Sequence, residues 1–377
     1  MASKNIFIFT LNFTPSSLGD SIRIKSIVEY LNDNGYNVTL FTTTNDAKKL
    51  ENSLLKIYTL NWAIPYNKDR FFMRLIKEII LGIELFFKLL FLKNKSFYFF
   101  TTPPFLTNLL GILATIFKKG NLIIDVRDLY PDVYVNQGLI SESSSIHKLL
   151  SYLEKLIYKR ANYILCATEG LEREIINRTN KNKVYLLRNG YANFFKISSI
   201  KQNNFTVVFH GSLSKFQNID LLIDIIKKIN NFTQEIKFII IGSGPKEIIL
   251  KNLRSDNFLF LGRLSNEETA NIVNKCHLGI SLRDDSKISI DSFPVKLYEY
   301  IGAGIPSIAT PISEGGQILE KLKIGFNLDN NCKRIIDLII KLHLDTDFYN
   351  NTIKQNIKYR NKFSRDYFVK DLFDKIL

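Results

Sequence analysis

Asp291-Ser-Phe-Pro-Val-Lys-Leu-Tyr-Glu-Tyr-Ile-Gly-Ala-Gly-Ile-Pro306 reads as a loop, a helix and a stop signal in succession. Pro294 suits the first turn of a helix, where its missing N–H costs nothing. Ala303-Gly304-Ile305-Pro306 ends that helix and leads into Ser307–Ala309, a short strand-like run. Lys296 and Glu299 lie three positions apart and so share a helix face. A helix N-terminus offers free N–H groups and the positive end of a dipole, which suits a diphosphate, and Lys296 would add a full positive charge. Asp291 and Glu299 are acceptors fit to hold sugar or ribose hydroxyls. The same residues would also make a solvated loop and helix with scattered charges, and chemistry alone leaves both readings open.

The strand–loop–helix rhythm continues in both directions. Asn5–Phe9 is an apolar run, followed by the polar loop Thr14–Asp20, a helical stretch through Leu31, a Gly35 cap and a strand at Val38–Thr42. Phe97–Phe100, Leu122–Asp125, Tyr163–Ala167 and Val184–Leu187 read as further strands, and the polar stretch Ile197–Asn204 as an interdomain linker. The pattern then restarts: a strand Phe205–Phe209 ending at His210-Gly211-Ser212, a helix Ile219–Ile229, a strand Ile236–Ile241 ending at Gly242-Ser-Gly-Pro245, and strands Phe258–Leu261 and Leu278–Leu282. The expected fold is α/β, with two doubly wound Rossmann-like domains facing a cleft: 1–195, then 205–355, and a C-terminal helix 356–377 packing back on the first domain. Open parallel sheets bind ligands outside the carboxyl ends of their strands. That rule points to the loops at Gly19, Thr101–Phe105, Asp125–Asp132, Gly211–Gln217, Gly242–Pro245, Gly262–Arg263 and Asp291–Lys296.

The length, 377 residues, exceeds one ordinary core and suits two domains; 46% hydrophobic content supplies their interiors. Cys166, Cys276 and Cys332 form no CxxC pair and no metal spacing, so a reduced, cytosolic setting is expected. The net charge of +15 suits an anionic partner, or else reflects a Lys-, Asn- and Ile-rich composition. No RNA-binding or helix-turn-helix signature accompanies it, so nucleic acid is not an expected partner. The N-terminus lacks a signal-peptide layout, and the most apolar segment, Ile79–Leu92, is short for a membrane span and interrupted by Glu84 and Lys88.

The Asp291–Glu299 segment resembles the acidic-x7-acidic signature of retaining glycosyltransferases of the GT-B fold, in their large family 4, and its tail Lys296–Pro306 matches closely. That resemblance implies a donor site in which Asp291 contacts sugar hydroxyls and Glu299 the ribose; Ser292, Phe293, Lys296 and Leu297 fall within the motif. The first acidic position is usually Glu, and Asp reaches about one methylene less far. Other motifs follow in the family's order. Gly19 resembles the Gly-rich loop facing the donor phosphates, Gly211-Ser212-Leu213 the start of the second domain, and Gly262-Arg263-Leu264 the strand end that frames the base. Many family members carry Arg and Lys at the positions of Ser212 and Gln217; neither charge is present, so Lys215 and Lys296 are the candidates for neutralising phosphate. In the first domain, Thr101–Phe105, which includes Pro104, and Asp125–Asp132 resemble the acceptor-side loops of bacterial O-antigen and capsule transferases, including N-acetyl-fucosamine-type enzymes. Asp128 would orient or deprotonate an acceptor hydroxyl beside Arg127, or the two would form a buried structural pair.

The resemblance implies a hexosyl- or N-acetylhexosaminyl-type transferase that retains configuration, favours UDP and needs no cofactor or metal. Asp345-Thr-Asp347 spells a metal-binding triplet but lies in the C-terminal helical region and is set aside, and of the four histidines only His210 sits at a strand end. Between Lys68 and Lys95, seven basic residues (Lys68, Arg70, Arg74, Lys77, Lys88, Lys93, Lys95) outnumber three acidic ones (Asp69, Glu78, Glu84) and flank five phenylalanines. Such a helix suits an anionic membrane surface, or the core of the first domain. The expected setting is cytoplasmic, peripheral at the inner face of the cell membrane, with a glycan or polyprenyl-diphosphate-linked acceptor. The competing classes are a sugar-nucleotide 2-epimerase of the same architecture, an NAD oxidoreductase, for which no complete GxGxxG is present, and a non-catalytic nucleotide-sugar-binding subunit.

Overall fold

The computed structural model describes residues 4–14, 19–66, 69–179 and 183–377. They divide into two compact units, Met1–Arg188 with Val369–Leu377, and Asn189–Phe368.

The first unit is built on seven strands: β1 (Asn5–Phe9), β2 (Asn37–Thr42), β3 (Leu55–Thr59), β4 (Phe97–Thr102), β5 (Asn121–Val126), β6 (Tyr163–Cys166) and β7 (Val184–Leu186). All pair in parallel, in the order β3-β2-β1-β4-β5-β6-β7. Helices cover both faces of such a sheet, so its central strands are apolar throughout. The sequence reading omitted β3. It is the edge strand, with Lys56 and Tyr58 exposed, and its apolar residues alternate instead of running together.

The second unit has six parallel strands: β8 (Phe205–His210), β9 (Ile236–Ile241), β10 (Phe258–Phe260), β11 (Leu278–Leu282), β12 (Ser307–Thr310) and β13 (Phe326–Asn327). Their order is β10-β9-β8-β11-β12-β13. Strand order reverses beside the first strand of each sheet, so the ligand-binding crevice of the second unit lies at the carboxyl ends of β8 and β11.

The division falls at Arg188 and Asn189, not in the polar stretch 197–204. Tyr191 and Phe195 are buried in the second unit's core with Tyr298, Tyr300 and Phe363. Residues 356–368 also belong to that unit: Arg360 donates to the carbonyls of Gly302 (2.7 Å) and Phe195 (2.9 Å). In the first unit, Phe373 packs on Tyr30 and Phe99.

The helix Phe71–Phe91 has two apolar faces. Leu81, Leu85 and Leu89 are buried in the first unit's core. Gly82 lets the helix Phe105–Ala114 approach, since an added Cβ would lie 2.7 Å from Leu110. Phe72, Met73, Ile76, Ile80, Ile83, Phe87 and Phe91 are exposed along the opposite side. Its basic residues are largely occupied within the protein, as Arg74–Glu78, Lys77–Asp69 and Lys88–Glu84 pairs; Lys68 lies outside the described residues. Among the described residues, no helix is long and apolar enough to cross a membrane.

Candidate active site

The helix Val295–Gly302 is held against β8 and β11 by Tyr300, whose hydroxyl donates to the carbonyls of Val208 (3.1 Å) and Ile280 (3.2 Å). Gly279 on β11 makes room for that ring, for an added Cβ would lie 2.3 Å from it. Pro294 stands at the N-cap, one position before the first helical turn. Phe293 stacks on Tyr298 with centroids 3.9 Å apart, and Leu297 is fully buried, so both side chains serve the core that fixes the loop.

Lys296 is 8% exposed. Its ammonium lies 3.8 Å from the centroid of the Phe209 ring and donates to Gln217 Oε1 at 2.8 Å. Gly211 follows β8 with φ +121°, and its ideal Cβ position is 3.6 Å from Lys296 Nζ. Burial, and then the neighbouring Arg283 guanidinium, push the Lys296 ammonium down to about 7, against the pull of Glu299. Burial pushes the Glu299 carboxyl up to about 7, opposed by Arg365 and Lys296. His210 places Nε2 3.4 Å from Glu299 Oε2 and packs against Phe195 and Tyr300. Burial and Lys296 hold its imidazole down to about 3, so it is neutral at pH 7.

Arg283, absent from the sequence reading, is the first residue beyond β11. Its Nη1 donates to Ser292 Oγ at 2.7 Å, and its backbone bridges to Gln217. Ser292 in turn accepts from Gly315 N at 3.1 Å, at the start of the helix Glu314–Leu322. The signal that would have found Arg283 is its place at a strand's carboxyl end; the acids Asp284 and Asp285 beside it suggest a surface ion pair instead. Asp284 Oδ1 is taken by the Ser286 and Ser289 hydroxyls, both at 2.6 Å.

The second unit thus brings together Gly211, Gln217, Arg283, Ser292, Lys296 and Glu299, with His210 behind Glu299. Asp291 is half-buried at the end of the helix Lys287–Ile290. Ser212, Lys215 and Arg263 are exposed, and the Lys215 ammonium sits 6.0 Å from the Phe216 ring. Lys296, rather than Lys215, is the ammonium held at Gly211. Gly262 takes φ +68°, and Leu264 packs partly into the core.

In the first unit the buried Arg–Asp pair is Arg23 with Asp125, not Arg127 with Asp128. Arg23 Nε and Nη2 donate to the two Asp125 oxygens at 3.0 and 2.7 Å, and Thr101 Oγ1 donates at 3.1 Å. Asp128 reaches the surface and also lines a small cavity with Asn108, Glu154 and Tyr158; desolvation raises its carboxyl, with Arg127 opposing. Pro104 is the N-cap of the helix Phe105–Ala114. Gly19 opens the helix Gly19–Asp33, and residues 15–18 of its loop lie outside the described residues. Asp345 caps the helix Thr346–Tyr359 by accepting from Phe348 N at 2.9 Å, and no metal-binding cluster occurs among the described residues.

Residues 191–359 match the family described as glycosyl transferases group 1. The match covers nearly all of the second unit, Asn189–Phe368. The gpi3 subunit of phosphatidylinositol N-acetylglucosaminyltransferase from Schizosaccharomyces pombe is 22% identical over 218 residues, which is 55% of this chain. The match spans about half of that relative, 47% of its length. Sucrose-phosphate synthase from Thermosynechococcus elongatus is similar in structure at a TM-score of 0.74 and 14% identity, over 98% of this chain and 97% of that one. HepE from Anabaena, solved with UDP-glucose, is similar at 0.71 and 14%, over 99% of each chain. At these identities the likeness is one of fold. The fold is GT-B: two parallel-sheet α/β domains.

Proposed function

We propose that the protein is a retaining glycosyltransferase moving a hexosyl- or N-acetylhexosaminyl-type sugar from a nucleoside-diphosphate sugar, UDP foremost, to a glycan or lipid-linked acceptor in bacterial surface polysaccharide synthesis. The observation that carries this reading is the pair Lys296 and Glu299 on one helix face, at the β8–β11 crevice of a glycosyl transferases group 1 domain. Lys296 is a buried ammonium whose hydrogen-bond acceptor is a neutral amide, an arrangement that an anionic ligand would complete. Glu299 would hold the ribose and Asp291 the sugar. Transfer requires the leaving diphosphate to be stabilised as its bond to the anomeric carbon breaks. The electron pair leaves with that phosphate oxygen. The acceptor oxygen attacks the same face of the sugar, and its proton passes to the departing phosphate. On this reading no metal and no enzymic nucleophile is required, and Asp128, with Arg127 and Pro104, belongs to the acceptor side.

The proposed location is peripheral, at the inner face of the cell membrane. The exposed apolar row from Phe72 to Phe91 supports it: a helix with large apolar residues on its outer side is suited to the headgroup–acyl boundary. The deciding experiment incubates the protein with UDP-sugars and lipid-linked acceptor, and reads the anomeric configuration of the product by NMR. Retention is expected. Glu299→Ala should cost about 10- to 150-fold in kcat/KM, the worth of one charge-assisted hydrogen bond. An inverted product, an epimerised donor without transfer, or an unaffected variant would overturn the reading.

A further inference from the structure

We propose that Arg283 and Lys296 together form a diphosphate cradle, with Arg283 supplying the second charge that the sequence reading gave to Lys215; this rests on the donor-site reading above. Arg283 follows β11 and Gly211 follows β8, and these neighbouring strands flank the switch point. The loop after β8 is tied to the end of β11 by two backbone hydrogen bonds, Asp284 N to Phe216 O at 3.1 Å and Asn218 N to Leu282 O at 3.2 Å, which set Gln217 opposite Arg283. Lys296 Nζ is bound to the side chain of that same Gln217. Gln217 therefore holds the Lys296 ammonium by its side chain and faces the Arg283 backbone with its own, while the guanidinium reaches Ser292, four positions before Lys296.

Among the described residues, neither cation is hydrogen-bonded to a carboxylate. Lys296 donates to an amide oxygen and Arg283 to the Ser292 hydroxyl, while Arg283 Nε is buried with no hydrogen-bond partner among the described residues. The nearest acid in sequence, Asp284, is occupied by two serine hydroxyls, and Glu299 faces His210. Both cations are desolvated, and Arg283 presses the Lys296 ammonium toward its neutral form, while Asp284 offsets part of the cost at Arg283. A diphosphate would relieve that pressure. Its oxygens offer the paired acceptors that a guanidinium fork binds, with the ammonium as a compact second charge. Gly211 keeps the approach to Lys296 Nζ free of a side chain.

The test is isothermal titration calorimetry of the full chain with inorganic pyrophosphate and with UDP. Wild type should bind both. Arg283→Gln should weaken both by about tenfold or more, and Lys215→Ala should leave them within about twofold. A folded Arg283→Gln that binds pyrophosphate as wild type does, or a Lys215→Ala that loses it, would refute the cradle. If Arg283→Gln does not fold, Arg283→Lys carries the test: it keeps the charge, loses the fork, and should still weaken pyrophosphate. Wild type that binds pyrophosphate but no nucleoside diphosphate sinks the donor-site reading and leaves the cradle standing. UDP bound equally by wild type and Arg283→Gln does the reverse.

Discussion

Binding of a diphosphate at pH 8 should draw in close to one proton, and Lys296 should be where it goes. In the free protein, burial and Arg283 hold that ammonium down to about 7, so at pH 8 only about a tenth of molecules carry the charge. A bound diphosphate would return Lys296 to its ordinary range, which requires uptake of about 0.9 proton. The apparent affinity should then fall by nearly tenfold per pH unit above 7.5, about 1.4 kcal/mol per unit, and flatten below about 6.5. The other groups facing Lys296 do not reverse the sign. Burial lowers Arg283 against the pull of Asp284, but a guanidinium stays charged in this range, and His210 is neutral throughout it. Glu299, held up to about 7, becomes anionic as pH rises; its charge would oppose the diphosphate while its oxygens still accept from the ribose. Calorimetry of UDP binding in two buffers of different ionisation enthalpy reads the proton directly. Equal enthalpies in both at pH 8, or an affinity flat from pH 7 to 9, would refute the reasoning. Lys296→Met should abolish the uptake. Lys296→Arg, charged at every pH, should bind without the slope. The same depressed ammonium affects folding. The unfolded chain binds that proton more readily between pH 7 and 10.5, so Lys296 by itself makes stability rise with pH across that window.

Gly279→Ala should lower stability by about 1–3 kcal/mol in thermal unfolding, because the new methyl would press on the Tyr300 ring; an unchanged Tm would contradict that packing. Asp125→Leu should cost about 3–5 kcal/mol in urea unfolding by leaving Arg23 buried without its carboxylate. Arg23→Met added to it should recover most of the loss, and a double variant no better than the single one would argue against the pair. Ile76→Glu with Ile83→Glu should abolish flotation on anionic vesicles at unchanged fold; retained flotation would remove the helix Phe71–Phe91 from the membrane proposal.

Much of the fold was legible along the chain. Strands β1, β9 and β11 coincide with apolar runs read directly from the sequence, since a strand covered on both faces needs apolar residues at every position. Strand β3 escaped because its edge position leaves alternate residues in water, and β13 because two residues carry no periodicity. Lys296 and Glu299 were legible for a local reason: residues three apart on a helix share a face wherever the helix lies. Other features depended on partners remote in sequence. Asp125 stands 102 positions from Arg23, so its neighbour Arg127–Asp128 looked the more natural pair. His210 meets Glu299 only because Tyr300 seats one helix on β8 and β11. Arg283 reads as a surface arginine beside two acids until Asp284 is committed to serines and Gln217 joins the end of β11 to the Lys296 ammonium. Local spacing determines which side chains share an element; which cations meet at one site is decided by which strand ends the sheet order makes adjacent.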